Sequence, residues 1–120
     1  MARYDSTRKQ MVGGKDVTLA PSAARTGAFT GSAFNCHEYN QAVLTLDVTA
    51  ASGTTPTLDV NVQDSADGSS WATVGSFAQK TGVASERKVF SGLREFIRAQ
   101  HGVPGGTTPS FTYSVSGYLK

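Results

Sequence analysis

The sequence predicts an all-β protein: an antiparallel two-sheet β-sandwich of seven to eight strands with an extended N-terminal arm. Short runs rich in Val, Thr, Leu and Phe are separated by Gly, Ser, Pro and Asp, which is typical of strands and turns. No amphipathic helix is long enough to cover a sheet. The apolar face of one sheet must therefore be buried against another sheet, in a sandwich or a flattened barrel. A chain of 120 residues, 38% of them hydrophobic, can supply one such core.

The first half of the chain contains the clearest strands. Apolar and polar side chains alternate over residues 42–49 and again over residues 57–64, which is the period of a sheet with one buried face. The connection 50–56 is short enough to bring these two strands back antiparallel, so a hairpin is predicted. Weaker strand candidates precede them at residues 16–20 and 28–34.

The second half of the chain continues the same pattern. A tight turn is predicted at residues 65–70, because Asp67 tolerates such a turn and Gly68 supplies the positive φ that closes it. The strands expected after this turn cover residues 71–77, 87–91, 96–101 and 110–119.

Positive charge is concentrated at the N-terminus. Residues 1–15 carry a net charge of +3, whereas residues 16–120 carry −1. The first segment has no periodicity that would bury one of its faces, so it is interpreted as a basic extended arm (residues 1–15) on a β-sandwich domain (residues 16–120). The arm is expected to become ordered on a protein partner. Its expected contacts are three cations and three apolar anchors: Arg3, Arg8, Lys9, Tyr4, Met11 and Val12.

The tetrad Gly-Thr-Thr-Pro occurs twice, at residues 53–56 and 106–109. Each copy precedes an alternating strand. Pro is tolerated at the start of a strand and Gly lets the chain reverse, so both copies are explained as hairpin turns. If the strands pair, both tetrads lie at one end of the sandwich and form one contact surface. The residues that would then face a partner are Thr54, Thr55, Thr107 and Thr108.

Few residues could carry catalysis or bind a metal. Cys36 and His37 adjoin, but neighbours on a strand point to opposite faces, so they do not form a nucleophile and its base. One Cys and two distant His residues lack the spacing of zinc ligands. The series Asp59, Asp64 and Asp67 lacks the acidic residue that closes a calcium loop. We therefore expect a protein that is not an enzyme and has no catalytic residues, metal site or cofactor.

Trp71 has two interpretations. It opens a strand directly after a tight turn, where a large ring normally covers one end of a core. The same ring could instead stack on a sugar, which keeps a carbohydrate-binding module open as an alternative function.

Composition also limits the partners and the compartment. Four basic residues in the arm, without a basic face on the body, do not predict a nucleic-acid partner. No run approaches the ~20 apolar residues of a membrane span, and the N-terminus lacks the apolar stretch of a secretory signal. A single Cys favours synthesis in a reducing cytoplasm.

Two stretches of the sequence resemble small structural proteins of tailed bacteriophages. They are residues 44–77, LTLDVTAASGTTPTLDVNVQDSADGSSWATVGSF, and residues 96–115, FIRAQHGVPGGTTPSFTYSV. The shared pattern is a strand, a Gly-Thr/Ser-Pro turn, a strand ending in an sADGS turn, a Trp strand, an aromatic-Ile-Arg-Ala strand and a second Pro hairpin.

This resemblance implies a non-enzymatic virion component of β-sandwich type, made in the bacterial host cytoplasm. It implies a head decoration (cement) protein on the capsid exterior that binds the major capsid protein and associates with itself as a homotrimer. Related sandwiches occur in phage tails and necks, so a tail or neck component is the alternative within the same class.

Overall fold

The computed structural model describes residues 3–5, 10–12 and 14–120, with side chains described from Gly14 onwards. In these residues all regular structure is β, and the body consists of two antiparallel sheets. The predicted all-β, two-sheet fold is confirmed. The strands are β1 (Arg3–Asp5), β2 (Gln10–Val12), β3 (Lys15–Arg25), β4 (Phe29–Thr30), β5 (Phe34–Asn35), β6 (Gln41–Thr57), β7 (Asn61–Ser65), β8 (Ala72–Ser76), β9 (Ala84–Ser91), β10 (Phe96–His101) and β11 (Gly105–Leu119).

One sheet has four strands in the order β3-β11-β6-β9. The other has five strands, in the order β4-β10-β7-β8 with β5 also pairing with β10. The body thus has nine described strands where seven to eight were predicted, because the weak candidate at residues 28–34 divides into β4 and β5. Between them the chain passes very close to its neighbours: a Cβ on Gly31 would lie 2.8 Å from the Leu19 carbonyl oxygen.

The predicted hairpin between residues 42–49 and 57–64 is wrong. Strand β6 does not reverse at residues 50–56 but continues to Thr57, paired along its length with β11. Strand β7 then pairs with β10 and β8 in the other sheet. Strands β6 and β11 stay together in the four-stranded sheet, and the register shifts between them mark bulges, at which antiparallel strands bend.

The predicted turn at residues 65–70 is confirmed, with β7 and β8 antiparallel on either side. Gly68 has φ 80°, and the Asp67 carboxylate accepts the backbone N–H groups of Ser69 and Ser70 at 2.9 and 3.0 Å. These hydrogen bonds lower the pKa of Asp67 to about 2, and the bond from Ser70 has the largest effect.

The core lies between the two sheets. In strands whose residues alternate between buried and more exposed, every second side chain points into it. Strand β10 shows the pattern clearly, because Ile97, Ala99 and His101 are buried while the residues between them are half-buried. The largest apolar side chains that are completely buried include Phe111, Leu44, Leu46, Leu58, Ile97 and Leu119. Burying each of these stabilises the fold by roughly 1.5–3 kcal/mol before the entropy of folding is counted.

The described parts of the N-terminal segment are β1 and β2, which pair with each other and with no strand of the two sheets. The body begins at Lys15 with β3, one residue before the predicted domain boundary. The division into a functional arm and a sandwich domain stays a prediction.

Candidate interaction surfaces

The arm residues predicted to contact a partner fall into two groups. Arg8 and Lys9 lie outside the described residues. The other four lie on β1 and β2, where the register sets Arg3 opposite Val12 and Tyr4 opposite Met11. The structure therefore brings these four positions together in a small antiparallel pair, and their role in binding stays a prediction.

The two Gly-Thr-Thr-Pro tetrads pair with one another where the end of β6 lies beside the start of β11. We call residues 53–56 and 106–109 the corner. Thr54 lies opposite Thr107, and register shifts on either side mark bulges. The predicted turns are therefore wrong: each tetrad lies inside a long strand, and its irregular backbone bends the strand rather than reversing it.

The two halves of the corner have nearly the same conformation. Gly53 and Gly106 have φ of 107° and 103°, and Thr55 and Thr108 have φ of 48° and 47°. A Cβ on Gly53 would lie 2.7 Å from the Thr108 carbonyl oxygen, and one on Gly106 would lie 2.7 Å from the Thr55 carbonyl oxygen. The repeated tetrad thus encodes a local two-fold arrangement in which each glycine permits the close approach of the other strand.

All four threonines predicted as loop contacts, Thr54, Thr55, Thr107 and Thr108, are exposed at the corner. The structure brings them to one place, as the paired-strand interpretation required. Contact with a partner is not established by this placement and stays a prediction.

A buried hydrogen bond between β10 and β11 joins the two sheets. The Tyr113 hydroxyl donates to His101 Nε2 at 2.6 Å, and His101 Nδ1 donates to the Gly102 carbonyl at 2.6 Å. Burial lowers the pKa of His101 and raises that of Tyr113 to about 12, so both side chains are neutral at physiological pH. Nothing in the sequence indicated this pair, since the two residues belong to different strands and neither pattern requires a partner.

The outward side of the five-stranded sheet carries a polar array. We call it the outer face, and its positions are Thr30, Asn61, Gln63, Trp71, Thr73, Ser76, Phe96, Arg98 and Gln100. The Arg98 guanidinium lies 4.1 Å from the centre of the Trp71 ring, and Arg98 Nε donates to Gln63 Oε1 at 2.8 Å. Ser76 Oγ donates to Asn61 Oδ1 at 2.6 Å, and Asn61 Nδ2 donates to Gln100 Oε1 at 3.1 Å.

The prediction that Trp71 covers one end of the core is wrong. The ring is half-buried and belongs neither to the core cluster nor to the partly buried side chains packed against it. It is held on the outer face by Arg98 instead. The sequence could not distinguish the two positions, because residue 71 precedes β8 and the alternation that assigns faces starts only at residue 72.

Cys36 and His37 follow β5 and lie in different environments, as expected. Cys36 is buried and its thiol donates to the Arg94 carbonyl at 3.0 Å, whereas His37 is exposed. Burial, together with the nearby carboxylates of Asp64 and Glu95, raises the pKa of the Cys36 thiol. The thiol is therefore protonated and is not a reactive thiolate.

His37 belongs to an open cleft of about 280 Å³ lined by Lys15, Asn35, His37, Glu38, Tyr39 and Glu95. His37 Nδ1 lies 2.7 Å from a carboxylate oxygen of Glu95. Because the His37 side chain is 68% exposed, this pair contributes little to stability.

Within residues 14–120 the side chains form no group of three or more His, Cys, Asp or Glu residues that could hold a metal ion. The same described part of the chain contains no helix with the length and apolar character of a membrane span.

Comparisons with known proteins give a structural likeness and no sequence match. No protein-family model and no curated protein sequence matches the chain. The fold is similar to the crystal structure of the SPBc2 prophage-derived protein YomS, with a TM-score of 0.53 and 14% sequence identity. The similarity covers 88% of this chain and 91% of that chain. At this identity the likeness concerns the fold alone.

Proposed function

We propose that this chain is a non-enzymatic structural protein of a bacteriophage particle, and that it decorates the outside of the head. The phage assignment is supported by the fold shared with a prophage-derived protein over most of both chains. It is supported independently by the sequence pattern of residues 44–77 and 96–115, which resembles small virion proteins of tailed phages.

The observation that carries the decoration role is the separation of the basic segment from the body. Strands β1 and β2 pair with each other and join neither sheet, while the remainder of the chain forms a complete two-sheet core. A basic appendage on a nearly neutral body suits a protein that contacts the acidic surface of an assembled partner. In this proposal the partner is the major capsid protein.

The mechanism is linkage between binding and assembly. A decoration protein that contacts two neighbouring capsid subunits binds the assembled shell and not the separate subunits, so it stabilises the shell in proportion to its affinity and concentration. Self-association into a homotrimer would multiply these contacts through effective concentration. The exposed threonines of the corner are proposed as a second contact region.

The chemistry of the described side chains supports a role without catalysis. The Cys36 thiol is buried and protonated, and both ring nitrogens of His101 are engaged by Tyr113 and Gly102. His37 pairs with Glu95 at an exposed site.

Cryo-electron microscopy of particles from the phage that encodes the chain tests this proposal. Density that fits the sandwich on the outside of the shell is the expected result. Density along the tail or at the neck would replace the decoration role by the tail or neck alternative. Complete absence of the chain from purified particles would refute a role in the virion.

A further inference from the structure

The outer face of the five-stranded sheet is built for hydrogen bonding, and the core does not require it. Its strands alternate, so the apolar neighbours Val62, Ile97 and Ala99 point into the core while amides and Arg98 point outward. A solvated sheet face needs only side chains that tolerate water. Here three amides lie next to one another across β7 and β10, in the register Arg98 opposite Gln63 and Gln100 opposite Asn61.

The hydrogen bonds within this array fix the amides and leave some of their groups available. The hydrogen bonds from Ser76 to Asn61 and from Asn61 to Gln100 hold the Asn61 and Gln100 side chains in one line. An amide has two N–H donors and a carbonyl acceptor. In Gln63 and Gln100 the described hydrogen bonds use only the carbonyl oxygen, and the amide nitrogens have no acceptor among the described residues. Such fixed donors can bind a ligand with little further loss of side-chain entropy.

The charge at the centre of this face is positive, while the carboxylate of Asp59, which precedes β7 on the same side as Asn61, lies at its edge and accepts hydrogen bonds from Gln79. None of the positions of the outer face carries a carboxylate, and Arg98 makes no ion pair within residues 14–120. Its Nε donates to Gln63, and its two Nη groups have no acceptor within residues 14–120. A guanidinium whose central carbon lies 4.1 Å from the centre of an indole ring can still bind a carboxylate through two parallel hydrogen bonds.

We propose that the outer face binds an acidic, carboxylate-bearing polysaccharide. The C–H face of a sugar ring contacts the exposed part of Trp71, the sugar carboxylate pairs with Arg98, and the amides of Gln63 and Gln100 donate to hydroxyl groups. The combination of one aromatic ring, a few convergent polar groups and one cation is the composition of a small-ligand site. This inference goes beyond decoration of the head and holds equally for a tail protein, because it concerns the surface of the isolated chain.

The experiment uses the fluorescence of Trp71, which is the only Trp in the sequence and therefore reports on this face directly. Purified full-length protein is titrated with oligogalacturonate and, separately, with the same oligosaccharide as its methyl ester, which keeps the ring and removes the charge. We expect a saturable fluorescence change with oligogalacturonate and binding weaker by about tenfold with the ester, the usual effect of losing one charge-assisted pair.

Two charge variants make the test specific. Arg98→Gln removes the guanidinium, and Arg87→Gln removes an exposed cation from β9 in the other sheet. We expect oligogalacturonate to bind Arg98→Gln about tenfold more weakly and to bind Arg87→Gln as it binds the unaltered protein. Trp71→Ala, examined by affinity electrophoresis in gels containing polygalacturonate, is expected to lose retardation, while its thermal unfolding shows that it is folded.

The proposal is overturned by any of three results. These are no saturable change with oligogalacturonate, equal binding of the methyl ester, or equal weakening in the Arg87→Gln and Arg98→Gln variants, which would indicate attraction to net charge alone. The assay contains no capsid, so its outcome is independent of whether the chain decorates the head.

Discussion

The corner makes a quantitative prediction about two glycines that are 53 residues apart in sequence. In Gly106→Ala the new Cβ would lie 2.7 Å from the carbonyl oxygens of both Thr54 and Thr55, at a φ of 103° that L-residues rarely adopt. In Gly53→Ala the contacts are equivalent, at 2.7 and 2.8 Å from the Thr108 and Thr107 carbonyl oxygens at φ 107°. Backbone atoms cannot move aside as a flexible side chain would.

The expected loss can be estimated from these two effects. Holding a non-glycine residue in such a backbone region costs about 1–3 kcal/mol, and moving two backbone oxygens adds about 1 kcal/mol more. The sum is about 2–4 kcal/mol. For a domain of this size it corresponds to a fall in Tm of roughly 8–16 °C. Because the two environments are alike, the two variants should fall by nearly the same amount.

Thermal unfolding followed by circular dichroism measures this prediction, with Gly82→Ala and Gly102→Ala as controls. A Cβ at either control position meets no atom within 4 Å and neither residue has a positive φ, so their Tm should stay close to that of the unaltered protein. A Gly53→Ala or Gly106→Ala variant as stable as these controls would refute the description of the corner. A large difference between the two corner variants would refute its two-fold character.

Further predictions concern two polar pairs, the buried pair of His101 and Tyr113 and the pair of the exposed Arg94 with the buried Asp64. Folding lowers the pKa of His101 below its usual 6.5, so the unfolded chain binds the proton more readily and the Tm should decrease as the pH falls below about 6.5. His101→Gln should have a lower Tm than the unaltered protein at about pH 7.5, but its Tm should decrease less as the pH falls. Identical slopes of Tm against pH in the two proteins would contradict this prediction. Removing the Tyr113 hydroxyl by Tyr113→Phe should lower the free energy of unfolding by about 1–3 kcal/mol, measured by urea denaturation, because the buried His101 Nε2 loses its donor. Arg94→Ala and Asp64→Asn should each lower the Tm. The double variant should be no less stable than the less stable single variant, because the Arg94 side chain and backbone N–H donate to the same buried carboxylate. Additive losses in Tm would show that the two residues do not act as a pair.

The strands could be predicted from the sequence because alternation is a local property. Ala42, Leu44, Leu46 and Val48 show their buried face without reference to any other strand, and β10 does the same. The turn at Asp67 and Gly68 was also readable, since its hydrogen bonds are made within six residues.

The pairing of the strands was not readable in the same way. The hairpin rule assumes that a short connection reverses the chain, but residues 50–56 have a second strand, β11, to pair with along their length. The repeated tetrad signalled that the two segments were related. It did not signal that they contact each other, because identical turns in separate hairpins give the same sequence.

The candidate surfaces depended still more on tertiary structure. Arg98 lies on β10 and Trp71 lies before β8, so only the order β10-β7-β8 brings the guanidinium onto the indole. The sequence placed Trp71 in the core, since a large ring beside a turn usually lies there. The basic character of the arm, in contrast, follows from composition and needed no structure.

The proposal that the basic arm attaches this chain to the head is tested by the binding of purified protein to purified heads that lack it. Three forms are compared by sedimentation: the unaltered chain, a variant lacking residues 1–12, and an Arg3→Glu, Arg8→Glu, Lys9→Glu triple variant, with Arg87→Glu on the body as the control for charge reversal. The account predicts that the deletion and the triple variant bind at least about tenfold more weakly, that Arg87→Glu binds normally, and that added salt weakens the unaltered protein, because the arm is the electrostatic contact. Undiminished binding by the folded deletion variant would contradict it.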